Sequence, residues 1–419
     1  MSPQASAGLA EQVLPLIRTR AELYRWRASN AHGAQMHEAV DILEASMAST
    51  DPQEVYAVTT KAIASAMKVI ARADDSSGII GDACRRLLAL HPVAAHAAQA
   101  PAAALVRWMM AFQFAGDVDY FDLDPVAYAP ALGELGMARY RKELTAVEAK
   151  LGPRPSEDAR WSSSHSHEWF VLDWNHRRLA VLDHDIDAII RTHARDRRVA
   201  AWLQDTAEAF EEVGEIDLAI DWARQAAEFD AGHQAKRAAG YLAELLATHR
   251  PAELLPERLQ AFRRWPTSGT AAQLYAATGA AWPDYAVEVD ERLATLPRDA
   301  VLFTLLTLND VRRAWQLAHD LDLSDADTWA RLAKAYETVD ASAVLPILER
   351  LVRGDLVEAD AKRYRAAAAR LDRMRAIAAG TEHAAQVDEL VAELRQANRH
   401  RPRLQQEFDR AGLPAFHVR

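Results

Sequence analysis

The sequence predicts an all-α protein: an antiparallel helical-hairpin, tetratricopeptide-like solenoid preceded by an N-terminal helical domain. Three observations carry this. The stretch Ala200–Asp230 reads as one complete hairpin. Leu203, Ala207 and Phe210 share one helical face, Gly214 punctuates, and Ala219, Trp222, Ala223 and Ala226 share the face of a second helix. Small residues there let two helices approach closely, as in a repeat with a period of roughly 34 residues. Half of the chain (50%) is hydrophobic, alanine is conspicuous, and only 16 glycines and 17 prolines interrupt 419 residues. That composition favours helices and close helix packing. Finally, apolar residues recur at helical spacing along nearly the whole chain.

In order along the chain, a helix begins near Gly8 and leads into a basic stretch with Arg18, Arg20, Arg25 and Arg27. Met36, Val40, Leu43 and Met47 mark the next helix, and Asp51-Pro52 opens another through Ile70, since proline suits a first helical turn. After a polar turn at Ala73–Gly78 the pattern resumes through Cys84 and Leu88, and Pro101 starts a helix through Phe112. The acidic, aromatic segment after Phe114 reads as loop-rich until a helix over Met137–Lys150. Residues 151–167 carry two prolines, five serines and little apolar content, so they read as a linker. The expected organisation is an N-terminal helical domain over 1–150, a linker over 151–167, and a repeat domain over 168–419 with a basic C-terminal cap. Within the repeat domain, helices are expected at His233–His249 and Leu254–Trp265, then in short units through Arg353. Longer helices follow near Glu358–Ala379 and Glu382–Gln396, with a last one from Pro402. Spacings between units drift, so the array is degenerate.

A repeat cannot bury its face alone, so neighbours must stack on it. The net charge of −11 disfavours nucleic acid and anionic membrane on average. The single cysteine, Cys84, excludes disulfide frameworks and multi-cysteine zinc sites and lies among apolar helical positions, as a buried thiol does. The N-terminal residues show no basic leader followed by an apolar core, and no apolar stretch approaches the ~18 residues of a membrane span. The expectation is a cytoplasmic protein.

Three stretches resemble a known family. RTRAELYRWRASNAHGAQMHEAVDILE is similar to its opening helices. ADDSSGIIGDACRRLLALH followed by YAPALGELGMARYRKEL resembles its most distinctive motifs. KRYRAAAARLDRMRAIAAGTEHAAQVDELVAELRQANRHRPRLQQEFDRAGL is similar to its closing helices. The family is the helical C-terminal region of bacterial SWIM zinc-finger proteins, catalogued mainly as a domain of unknown function. The resemblance covers about residues 15–413 and implies helical architecture and a bacterial setting. The finger itself needs three cysteines and one histidine. With Cys84 alone, its zinc and nucleic-acid chemistry does not carry over.

Candidate chemistry concentrates in HSHEWFVLDWNHRRLAVLDHDID, residues 165–187. His176 and Asp183 share a helical face, with His184 beside them. A divalent metal would need such imidazole and carboxylate ligands brought to ~2.0–2.2 Å. No HExxH signature is complete, and the same face carries Trp169, Leu172 and Leu179, so an amphipathic helix is the competing reading. The run DVDYFDLD departs from an EF-hand in its glycine and closing-acid positions. It reads as an exposed turn with Tyr120 and Phe121 packed inward. The C-terminal 25 residues hold six arginines against one Glu and one Asp. Arg399, Arg401 and Arg403 would either dock an anion or nucleic acid, or neutralise helix C-termini. No phosphate-binding glycine loop occurs.

The resulting expectation is a bacterial scaffold or adaptor that binds a protein or peptide in a groove of residues 200–350. Arg224, Arg237, Arg263 and Arg264 would be groove contacts, because arginine and tryptophan dominate interface energetics. No cofactor is required by this reading. The alternatives are a metal-dependent enzyme using His176, Asp183 and His184, and a nucleic-acid accessory protein using the basic C-terminus.

Overall fold

A computed structural model describes residues 8–116, 118, 120–155 and 164–414. Among the described residues the regular structure is entirely helical, with 21 α-helices, one π turn and short 3-10 turns. The chain divides into two compact units, Met1–Ala226 and Ala227–Arg419. The expected linker over 151–167 falls partly outside the described residues, at 156–163.

The N-terminal unit opens with α1 (Leu9–Ile17), α2 (Trp26–Ser46), α3 (Pro52–Ile70) and α4 (Ile79–Ala97). It continues with α5 (Ala102–Ala115), α6 (Pro125–Leu151) and α7 (Ser166–Leu182). α1 packs on α2 and α3, α4 on α2, α3 and α6, and α5 on α6 and α7. One buried apolar cluster runs through all seven, from Leu9 to Leu179. Close approach is built in at Gly33, where a Cβ would stand 2.5 Å from the Ile79 side chain, so α2 lies tightly against α4.

Two elements differ from the sequence expectation. α2 begins at Trp26, about three turns before the apolar periodicity, because its first buried positions are polar. The Ser29 hydroxyl donates to the Leu23 carbonyl (2.8 Å), and a His32 ring nitrogen meets the Ile17 carbonyl (3.0 Å). The supposed loop before Met137 is helical from Pro125. Asp124 caps it by accepting from the Val126 N–H (3.0 Å), and Gly133 absorbs a kink at φ 59°, ψ −178°. A residue with a Cβ resists that left-handed φ.

The core also holds a satisfied polar network. The fully buried Tyr140 hydroxyl donates to Asn175 Oδ1 (2.6 Å) and accepts from Gln113 Nε2 (2.8 Å). Asn175 Nδ2 donates to Gln113 Oε1 and to the Val171 carbonyl, both at 2.9 Å. Buried polar groups stripped of partners are costly. Asn175→Ala is therefore expected to destabilise the N-terminal unit by roughly 2–4 kcal/mol, measured as a shift in urea midpoint. A loss below a few tenths of a kcal/mol would mean that the network is not formed.

After α7 come α8 (Ile186–Ile189), a π turn (Ile190–Ala194), α9 (Ala200–Glu212) and α10 (Ile216–Glu228). The last two are the hairpin read from the sequence. Gly214 takes φ 83° between them, Ala207, Ala219, Ala223 and Ala226 are fully buried, and the Phe210 and Trp222 rings lie 6.4 Å apart.

The C-terminal unit is a succession of short helices. These are α11 (His233–His249), α12 (Pro251–Arg264), α13 (Ser268–Thr278), α14 (Pro283–Leu293) and α15 (Pro297–Leu306). Then come α16 (Val311–Asp320), α17 (Ala326–Tyr336), α18 (Leu345–Asp355), α19 (Ala361–Ala378), α20 (Ala384–Ala397) and α21 (Pro402–Arg410). Proline opens α12, α14, α15 and α21, and Asp310, Asp325 and Asp360 cap α16, α17 and α19 with side-chain oxygens. The apolar core here is serial. One cluster runs from Phe262 to Phe303, the next from Val301 to Leu351, and the next from Leu345 to Leu413. Each overlaps its neighbour in sequence, the signature of a solenoid-like stack in which repeats touch only adjacent repeats.

Candidate functional site

Two clefts stand out, each contained in one unit. The first lies in the N-terminal unit and encloses about 670 Å³. Leu179 and Ala180 of α7 and Ala188 of α8 give it an apolar floor. Arg141 of α6, Arg154 just beyond α6, and Arg191 and Arg195 at the π turn bring four guanidinium groups to it. Asp173, Asp183 and Asp196 supply the opposing charge. Arg141 grips Asp183 with two parallel bonds (2.7 and 2.9 Å), and Arg154 pairs with Asp173. Asp196 pairs with Arg198 at 2.6 Å. Arg191 and Arg195 have no carboxylate partner among the described residues. Arg195 lies over the Trp202 ring, 4.9 Å from its centroid.

Local backbone makes this arrangement. Asp185 caps α8 by accepting from the Ala188 N–H (2.9 Å), and the chain then widens into a π turn. The Thr192 hydroxyl donates to the Ala188 carbonyl (2.7 Å). His184, Arg195 and Arg197 all adopt left-handed φ (52°, 49° and 57°), half of the six non-glycine residues that do so among the described residues. Such conformations cost on the order of 1 kcal/mol or more each, and they gather at functional sites. π turns do likewise. Arg178 anchors the region with bonds to Asp124 (both 2.9 Å) and Glu212 (2.6 and 2.7 Å). The guanidinium holds the Glu212 carboxyl below its ordinary range.

The second cleft, also about 670 Å³, lies in the C-terminal unit between α17, α18 and α19. Trp329 and Leu351 are among its apolar lining. The Trp329 indole donates to the Leu323 carbonyl (2.6 Å), and the exposed Arg350 guanidinium lies 4.7 Å over its ring. Arg370 pairs with Asp355, and Arg363 with Glu358 (3.2 Å). Asp325 and Asp360 are held below their ordinary pKa. The largest cause is the Thr328 hydroxyl for Asp325 and the Arg363 backbone N–H for Asp360. Arg350 and Lys362 have no carboxylate partner among the described residues.

The sequence candidates fall in several places. His176 and Asp183 do face one cleft, while His184 is not part of its lining. His176 Nε2 lies 3.8 Å from Glu148, and Asp183 is committed to Arg141. Among the described residues no three His, Cys, Asp or Glu side chains converge so as to hold a metal ion. Arg224 lies in the N-terminal unit, 3.6 Å from Asp221. Arg237 is exposed on α11. Arg263 is held bidentately by Glu288 (2.7 and 2.8 Å), and Arg264 donates to the carbonyls of Glu228 and Asp230 (3.3 and 2.6 Å). In the basic tail, Arg401 donates to the carbonyl of Leu356, the residue that closes α18 (2.6 Å), which fits a cation neutralising a helix C-terminus. Arg399 and Arg403 are exposed.

Cys84 is fully buried, and burial pushes its thiol up to about 12, so it is not a nucleophile. In the acidic run, Phe121 packs inward but Tyr120 is 56% exposed, against the expectation that both are buried; Asp117 and Asp119 lie outside the described residues. Sequence reasoning missed Arg191, Arg195, Arg350 and Lys362. The run RTHARDRR, four arginines in eight residues, was the available signal for the first pair.

A family model described as a family of unknown function (DUF6880) matches residues 1–403. The chain belongs to that family. The match carries no link to SWIM zinc-finger proteins. A search of curated proteins finds no match. Among the described residues no helix is long and apolar enough to cross a membrane.

Proposed function

We propose that this DUF6880 protein is a cytoplasmic docking protein of the tetratricopeptide-like kind, whose C-terminal unit holds an acidic segment of a protein partner between α17, α18 and α19. The observation that carries this is the pair of uncommitted cations, Arg350 and Lys362, at a cleft with Trp329 in its lining. Every other arginine at that cleft is already paired with a carboxylate. The Arg350 guanidinium sits over the indole with no carboxylate bonded to it among the described residues, which leaves its fork of N–H groups for a carboxylate of the partner. Serial stacking supports the reading, because helical arrays offer extended surfaces whose usual employment is binding. Of the groove contacts expected from the sequence, Arg263 and Arg264 are engaged inside the unit, so the proposal rests on Arg350, at the end of that groove, and on Lys362. The resemblance to SWIM-associated helical regions is compatible with a partner-dependent role, and a finger-bearing chain is one candidate partner.

A photo-crosslinking residue in place of Asp327, an exposed residue lining the cleft, tests this in cells. A discrete protein adduct is expected from that position. The same residue placed at Glu389, exposed on α20, serves as the control and is expected to give none. Equal labelling from both positions would reject the docking cleft.

A further inference from the structure

The arginine-lined cleft of the N-terminal unit has a chemistry of its own, independent of any docked partner. We propose that it binds a small organic phosphate, with Arg191 and Arg195 gripping the phosphate and the Leu179–Ala180–Ala188 floor receiving the organic part.

Charge selects the class. Arg141 and Arg154 are neutralised by Asp183 and Asp173, whereas Arg191 and Arg195 have no carboxylate partner among the described residues. Two uncompensated guanidinium groups one helical turn apart match the two negative charges of a phosphomonoester. A carboxylate would leave one of them unanswered. Guanidinium forks also fit phosphate oxygens in bidentate fashion. On a chain of net charge −11 this local excess of cations is against the overall trend, so it attracts an anion that the rest of the surface repels.

Shape selects the size. The cleft encloses about 670 Å³, within the range of small-molecule sites. Three buried apolar side chains form its floor, which inorganic phosphate alone would leave unused. The backbone supports the same conclusion. The π turn at Ile190–Ala194 and the left-handed Arg195 together bring both cations to this cleft. A regular helix through this segment would orient them differently.

The test is isothermal titration of the full chain with phenyl phosphate, benzoate and inorganic phosphate. Phenyl phosphate is expected to bind best, about tenfold or more tighter than either comparison ligand. Arg191→Gln and Arg195→Gln are each expected to weaken phenyl phosphate at least about tenfold, and Arg191→Lys less, because it keeps charge and loses the fork. Arg195 sits at a positive φ in this turn, so its variant is read together with its melting temperature. Arg191 is exposed and carries the test alone in that event. No binding of phenyl phosphate in the millimolar range overturns the proposal, as does binding that Arg191→Gln leaves unchanged. Preference for benzoate overturns the phosphate assignment.

Discussion

Acidification from pH 7 to pH 4 is expected to remove several kcal/mol of stability from the N-terminal unit, with two buried histidines responsible. His91 is fully buried, with its ring stacked on Trp108 at 4.1 Å. Its Nε2 lies 3.0 Å from the Thr60 hydroxyl and its Nδ1 2.9 Å from the Tyr128 hydroxyl, so both nitrogens are occupied and, among the described residues, no carboxylate pairs with the ring. Burial lowers its pKa to about 4. His193, in the π turn, is also lowered to about 4, first by burial and then against the hydrogen bond to the Ile189 carbonyl (3.1 Å).

In the unfolded chain each histidine titrates near 6.5. Between 6.5 and 4 the unfolded chain therefore binds protons that the folded chain refuses, and stability falls as pH falls. The contribution is complete above pH 6.5, is lost progressively down to pH 4, and is flat below that. The shift corresponds to at most roughly 3 kcal/mol for each histidine. Urea midpoints at pH 7.5, 5.5 and 4.5 read it directly. His91→Gln is expected to lower stability at pH 7.5 and to flatten the pH dependence by about half. A wild-type midpoint that does not move between pH 7.5 and 4.5 would contradict the neutral, buried state of these rings.

Trp329→Ala is expected to cost the C-terminal unit about 3–5 kcal/mol. Trp329 is 2% exposed, packs edge-on against Trp315 at 5.6 Å, and donates to the Leu323 carbonyl. Truncation empties the centre of the Val301–Leu351 cluster and leaves that carbonyl without its donor. Trp329→Phe keeps most of the packing and loses the hydrogen bond, at about 1–2 kcal/mol. Because the cores are serial, the damage should be regional. Hydrogen exchange is expected to rise over α15–α18 and much less over α20 and α21. A uniform rise across the unit would indicate one cooperative core in place of a stacked array.

Much of the fold was legible because local signals agree with the tertiary structure. In Ala200–Asp230 the apolar period, the small residues and Gly214 all point the same way, and α9 and α10 follow them. His233–His249 is read correctly to the residue. The N-terminal half of α2 was hidden because Ser29, His32 and Gly33 occupy its buried face, and polar residues satisfied by distant carbonyls leave no periodic apolar trace. The first turns of α6 were hidden because Pro130 and the non-helical Gly133 break the helical pattern between Pro125 and Met137, leaving two helical stretches that meet at a kink.

The sites were less legible. The histidines and aspartates of residues 165–187 form a cluster in sequence. The first cleft instead combines residues from α6, α7, α8 and the π turn, and what decides its charge is which arginines already have partners. Pairing of that kind is set by the fold, so composition alone gives Arg263, which is spent on Glu288, the same weight as Arg350, which is free to bind.

The measurement that bears most directly on the docking account is the yield of the crosslinked adduct from position 327 in a chain carrying Arg350→Glu. Reversing the charge over Trp329 is expected to reduce the adduct to the level of the Glu389 control, while the melting temperature of the chain stays near that of the parent. An adduct of undiminished yield would contradict the assignment of this cleft to an acidic partner segment.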